Sequence, residues 1–193
     1  MKDEHYFNPF GPNFLTLTID EDVRLKLLEC VKDHSINAWE EPHVISSYTS
    51  QKNTIVDGKL GDIKPEWQDK YHGNIIMETL SKVLNRYCEL ANMSEVVPEI
   101  LNVWYVIMKS GDFHKVHNHI PSAVSGAIYL EVPDNLHYPQ GNISWGMEGF
   151  QQPLYNNTYE HSPQSGEVFL WPGWLMHMVY PFRSKQERIM ISF

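Results

Sequence analysis

The chain has 193 residues, 42% of them hydrophobic and 20% charged, which gives enough apolar material for one folded domain and excludes a disordered or fibrous chain. Lys+Arg 15 against Asp+Glu 24 leaves a formal net charge of -9, which argues against nonspecific attraction to nucleic acid or an anionic membrane. No apolar run reaches membrane-spanning length, Met1 to Phe10 lacks the apolar stretch of a secretory signal, and Cys30 and Cys88 form no CxxC, so a reducing cytoplasm is the expected compartment.

Residues 20–34 predict a helix. Asp20 suits the cap, Glu21 and Asp22 suit the first turn, and Val23, Leu27, Cys30 and Val31 fall on one face. Residues 35–64 are polar and turn-rich, with Pro42, Gly58 and Gly61. A second helix is expected from near Pro65, through Trp67, Tyr71, Ile75, Leu80, Leu84 and Tyr87, to about Asn92. These two helices are expected to form a layer packed on a sheet.

From residue 99 the period changes to two. Leu101, Val103, Tyr105 and Ile107 alternate with Asn102, Trp104, Val106 and Met108, and Val124, Gly126, Ile128 and Leu130 alternate with Ser125, Ala127, Tyr129 and Glu131. Shorter strands are expected at 142–145, 167–171, 176–181 and 188–193, with residues 133–165 read as loops around one strand. Helices first and short strands after predict an α+β fold with a small jelly roll. The whole chain, 1–193, reads as one domain, with 1–98 mainly helical support and lid loop and 99–193 the jelly-roll core.

Three clusters carry chemistry. The first is Gly111-Asp112-Phe113-His114-Lys115-Val116-His117-Asn118-His119, at the end of an expected strand. His117 and His119 are two apart, so on extended backbone both imidazoles point the same way and offer two nitrogens to one metal. Surface histidines in a polar turn would look the same. The second is Gly166-Glu167-Val168-Phe169-Leu170-Trp171-Pro172-Gly173-Trp174-Leu175-Met176-His177. Alone, His177 reads as a core histidine; beside the His117/His119 pair it offers a third ligand. The third is the terminal strand, where alternation puts Arg188, Met190 and Ser192 on one face. A buried guanidinium there needs an anionic partner, either an internal carboxylate or a ligand's.

The order of these segments resembles the 2-oxoglutarate- and Fe(II)-dependent oxygenases. The segments are HxH after a strand, Ser125-Gly126-Ala127-Ile128-Tyr129-Leu130, Pro172-Gly173-Trp174-Leu175-x-His177, and Arg188 eleven residues later. The likeness covers roughly residues 99–193 and points to a prolyl hydroxylase-like bacterial and phage branch. It implies a double-stranded β-helix, also called a jelly roll and cupin-like, with His117, His119 and His177 as metal ligands. It also implies that Arg188 and Tyr129 hold the far carboxylate of 2-oxoglutarate, with Ser125 and Ser192 on the pocket faces. The implied enzyme is a dioxygenase that consumes O2 and 2-oxoglutarate, releases succinate and CO2, and hydroxylates a small-molecule or peptide substrate. Trp104, Tyr105, Trp171 and Trp174 are candidate pocket walls, and residues 39–64 and 133–165 candidate lids, the first of them acidic through Glu40, Glu41, Asp57 and Asp62.

One position departs from the pattern. Most of the superfamily has a carboxylate where this chain has His119. Three neutral imidazoles leave more positive charge on the metal and also suit other ions. Asp112 or His114 is an alternative ligand. Two other functions fit the same segments: a cupin-type three-histidine metalloenzyme that does not use 2-oxoglutarate, and a non-catalytic jelly-roll binding module.

Overall fold

The central strands are apolar on both faces, so each face needs a cover of its own. The computed structural model describes residues 2–8, 13–37, 59–63, 74–146 and 157–193. In chain order the described elements are β1 (Lys2–Phe7), β2 (Phe14–Thr18), α1 (Glu21–Asn37), β3 (Lys59–Asp62), α2 (Ile75–Leu90), β4 (Trp104–Met108), β5 (His114–His117), β6 (Val124–Glu131), β7 (Ile143–Gly146), β8 (Thr158–His161), β9 (Glu167–Pro172), β10 (Met176–Val179) and β11 (Arg188–Ser192). Among the described residues the strands form two antiparallel sheets. One runs β1-β2-β9-β6-β11-β4-β3 and the other β5-β10-β7-β8. Strands distant in sequence are neighbours in both sheets, as a double-stranded β-helix requires.

Alternation sorts the side chains between two cores. Tyr105, Ile107, Ile128, Leu130, Val168, Leu170, Ile189 and Ile191 turn outward and pack with Leu27, Val31, Ile76, Leu80 and Val83 of the helices. Trp104, Val106, Met108, Ala127, Tyr129, Phe169, Trp171 and Met190 turn the other way and meet Ile143, Trp145 and Val179 of the smaller sheet. The helices therefore cover the outer face of the large sheet, and the small sheet closes the inner face into a barrel. Arg188 and Ser192 share the inward face with Met190.

The structure departs from the expectation in three places. The N-terminal half is more than helical support, because β1, β2 and β3 extend the large sheet, with β2 paired to β9 and β3 to β4. Phe14 even enters the barrel core, edge-on to Trp145 and Phe169. Residues 133–165 hold two strands, β7 and β8, rather than one. His114–His117 is a strand, where a turn was expected. The second helix is described from Ile75, so its expected start near Pro65 lies outside the described residues. Most of the first proposed lid, including Glu40, Glu41 and Asp57, lies outside them too, as do residues 147–156 of the second, and Asp62 belongs to β3.

The helix-facing core is the thicker source of stability. Leu170→Ala, at a fully buried site in β9, is expected to cost about 2–5 kcal/mol in urea unfolding, whereas Leu25→Ala, half exposed on α1, should stay within about 0.5 kcal/mol.

Candidate metal centre

Three elements bring the histidines together. His117 ends β5 and pairs directly with His177 of β10. His119 lies two residues beyond β5, on a loop held against the turn between β9 and β10. There its backbone N–H donates to the Gly173 carbonyl at 2.7 Å, and the Gly173 N–H donates to Ala123 at 3.1 Å. The approach is so close that a Cβ at Gly173 would lie 2.2 Å from the Ser122 carbonyl oxygen. Only glycine lets the His119 loop and the His177 turn touch in this way.

The result is a compact set of nitrogens. One ligand atom from each of His117, His119 and His177 lies within 4.8 Å of the others. His119 Nε2 and His177 Nε2 are 3.2 Å apart. Two imidazole nitrogens bound at about 2.1 Å to one ion, at 90–110°, sit about 3.0–3.4 Å from each other, so this spacing suits a shared metal. Two of the rings are also oriented from behind. His117 Nδ1 lies 2.6 Å from the Lys115 carbonyl and His177 Nδ1 lies 3.0 Å from the Leu175 carbonyl. A carbonyl only accepts, so both Nδ1 atoms carry the proton and both Nε2 atoms present a lone pair.

Burial keeps these rings neutral. It lowers the His117 pKa, and with His117 alongside it pulls His119 down to about 3. His177 and His114 are pushed well below the ordinary range by burial first and by neighbouring imidazoles second. Neutral imidazoles are the form that binds metal.

Behind the triad lies a cavity lined by Trp104, His114, Tyr129, Trp171, Met190 and Ser192, among others. Trp104 packs against His119 and Trp171 against His177, so both are walls. Tyr105 faces the helices instead, and Trp174 stands half exposed. Arg188 is fully buried, with its guanidinium carbon 5.1 Å above the Tyr129 ring. Its Nη1 meets only the Met108 sulfur, at 3.1 Å, while Nε and Nη2 have no acceptor. No carboxylate among the described residues pairs with it. Tyr129 Oη, His114 Nε2 and the indole nitrogens of Trp104 and Trp171 are likewise buried without a partner. Buried donors thus gather around the cavity, and no carboxylate among the described residues lines it.

The remaining sequence candidates fall out differently. Ser192 lines the cavity. Ser125 is buried and spends its hydroxyl on the Phe193 carbonyl at 2.9 Å, which ties β6 to the chain end. Asp112 accepts from the Lys109 N–H at 2.8 Å within the turn, and neither it nor His114 joins the clustered ligand atoms. His114 is the lining residue that alternation misplaces. Three residues before His117, it belongs on the opposite face of a regular strand. Its pairing shows why it does not stay there: His117 opposes His177 and His114 opposes Val179, so three steps on β5 match two on β10. That bulge turns Lys115 and Val116 outward and both histidines inward. The unpartnered Trp104 and Trp171 nitrogens carried no sequence signal beyond their strand face.

Residues 102–193 match the family model described as "Putative 2OG-Fe(II) oxygenase". Over that segment, just under half of the chain, it is similar to the 2-oxoglutarate- and Fe(II)-dependent oxygenase superfamily. Solved structures agree on the fold. A Pseudomonas putida prolyl-4-hydroxylase superposes with a TM-score of 0.64 at 15% identity, covering 93% of this chain and 90% of that one. A Trichoplax adhaerens prolyl hydroxylase, solved in complex with a hypoxia inducible factor peptide fragment, gives 0.60 at 15% identity, covering 93% and 81%. A collagen prolyl hydroxylase from Paramecium Bursaria Chlorella virus-1, solved as a 2-oxoglutarate complex, gives 0.55 at 12% identity, covering 93% of each chain. No curated protein matches the chain by sequence. Members of the superfamily are oxidoreductases, and their cofactor and cosubstrate are Fe(II) and 2-oxoglutarate. No described helix is long and apolar enough to cross a membrane.

Two measurements test this geometry. Gly173→Ala should weaken metal binding by roughly 10–100-fold in a chelator competition, because a pushed-back loop misplaces His119. The metal-free protein should also be acid-sensitive. Its buried histidines have lowered pKa values, so below pH 6.5 the unfolded chain takes up protons that the folded state refuses. Stability is therefore flat above pH 6.5 and falls from there toward pH 4.5, before carboxylates titrate; urea midpoints at pH 8, 6.5 and 5 would reveal the trend.

Proposed function

We propose that the chain is a 2-oxoglutarate-dependent dioxygenase whose iron is held by His117, His119 and His177. It hydroxylates its substrate with release of succinate and CO2. The observation that carries this reading is the excess of buried donors behind the triad, above all the unpaired guanidinium of Arg188. A fully buried charge without a counter-charge costs several kcal/mol, roughly, and persists only where something else requires it. 2-Oxoglutarate answers the requirement, since its five oxygens all accept and none donates.

Each residue then has a task. His117 and His177, locked by the Lys115 and Leu175 carbonyls, hold their Nε2 lone pairs on one point. His119 closes the set from the neighbouring loop. Arg188 neutralises the distal carboxylate and Tyr129, raised to about 12 by burial, keeps its proton and donates it as a hydrogen bond. Ser192 lines the passage, and Ser125 fixes β6 so that Tyr129 keeps its place. Trp104 and Trp171 exclude water from the centre. Bound there, iron supplies the oxidative step that couples loss of CO2 from the keto acid to hydroxylation of a C–H bond. Histidine in place of the usual carboxylate leaves the metal one negative charge short, and the dianionic cosubstrate makes up part of the difference. The likeness to prolyl hydroxylases, one solved with a peptide, supports a peptide or small-molecule substrate.

The test is anaerobic. Fe(II)-loaded protein titrated with 2-oxoglutarate should develop the weak visible charge-transfer band of a chelated keto acid. His177→Ala should abolish it. Arg188→Met should weaken 2-oxoglutarate binding by about 100-fold or more. The same variant should raise the unfolding free energy of the ligand-free protein by roughly 1–4 kcal/mol, because it removes a buried charge at similar volume. No band from metal-loaded wild type would instead favour the three-histidine metalloenzyme that works without a keto acid.

A further inference from the structure

His114 has no role in the reading so far, yet it is among the most deliberately buried polar groups in the molecule. It is 3% exposed, it lines the cavity behind the triad, and its Nε2 is buried without a partner. Its ring centroid is 5.8 Å from that of His117, and it stands apart from the clustered ligand atoms. It is also near enough to Arg188 for the guanidinium charge to bear on it. His114 therefore shares the cavity lining with the three clustered histidines and with Tyr129, over whose ring the Arg188 guanidinium lies. A bulge in β5 is what puts it there, at the cost of a regular ladder.

We infer that His114 is a cosubstrate-binding residue, whose Nε2–H donates to the distal carboxylate of 2-oxoglutarate alongside Arg188 and Tyr129. The inference rests on the dioxygenase reading and adds a residue to it. Three facts favour this role over a fourth metal ligand or a packing histidine. A metal ligand would have joined the nitrogen cluster, and His114 does not. A packing histidine normally satisfies its nitrogens within the protein, and Nε2 here is unsatisfied. Of the other unpartnered donors, Tyr129 Oη belongs to a residue of the same cavity lining, and Arg188 Nε and Nη2 belong to the guanidinium packed over the Tyr129 ring, so one carboxylate with its several lone pairs serves them together.

The experiment compares two keto acids on anaerobic protein. Both 2-oxoglutarate and pyruvate chelate a metal through the keto and adjacent carboxylate oxygens, but pyruvate has no distal carboxylate. Binding is read from the charge-transfer band with Fe(II), and metal affinity separately by chelator competition. His114→Phe keeps the ring and removes the donor, and His114→Gln keeps a donor on a different frame. The expected result is that His114→Phe weakens 2-oxoglutarate by about tenfold, the scale of a lost hydrogen bond to a charged group. Pyruvate binding and metal affinity should stay at wild-type values, and His114→Gln should recover part of the loss. The inference is overturned if both keto acids weaken equally, if metal affinity falls with them, or if 2-oxoglutarate binding is unchanged. Should His114→Phe fail to fold, His114→Gln alone decides by the same comparison of the two acids. Absence of a 2-oxoglutarate band in the wild type is a separate outcome, which removes the dioxygenase reading and this inference together.

Discussion

A guanidinium buried to the last atom, with no carboxylate among the described residues to meet it, is the constraint around which the barrel is arranged. Arg188 begins the central terminal strand and points into the interior between two sheets. Water cannot reach it; its Nη1 meets the Met108 sulfur and its guanidinium carbon lies over the Tyr129 ring. Such a group destabilises the isolated fold. The helix-facing core offsets it, since that side of the large sheet is built of aliphatic residues from five strands and two helices. One face of the sheet holds the molecule together, and the other is free to carry buried polar groups that the protein leaves unpaired.

The clustering of the three histidines depends on two local deviations from regular geometry. A bulge in β5 aims His114 and His117 to the same side, and a glycine at 173 lets two loops approach to within backbone contact. Neither deviation contributes to packing on its own account. Both place imidazoles where a regular strand and an ordinary turn would not. The carbonyls of Lys115 and Leu175 then fix two of the rings by their Nδ1 protons, so the orienting contacts come from the backbone and are indifferent to side-chain substitution at those positions. On the proposed reading, the lack of a carboxylate in the triad goes with the buried, unpartnered donors nearby, which suit an anionic cosubstrate.

Much of the site was legible in the sequence. Strict alternation in 101–108, 124–131 and 188–193 identified the two-faced strands, and the sequence singled out His117, His119 and His177, which the structure clusters, and Arg188, which it buries over the Tyr129 ring. The N-terminal strands were not legible. Lys2–Phe7 is exposed and charged along most of its length, and Lys59–Asp62 has no alternating apolar pattern, so neither carries the periodic signal of a half-buried strand. They join the sheet because the edges of β2 and β4 present unpaired backbone groups, and edge pairing is selected by hydrogen bonding more than by side-chain pattern.

By itself, the sequence determined which faces are apolar, which residue types can bind a metal, and their order along the chain, because periodicity and chemistry are local properties. The tertiary structure alone decided that Arg188 has no internal carboxylate partner among the described residues, that Ser125 is engaged with the Phe193 carbonyl, and that His114 faces the cavity. Those facts turn on the register between strands far apart in sequence. A shift of one residue in pairing moves a side chain to the other face, and nothing local to β5 announces the extra residue that β10 leaves unmatched.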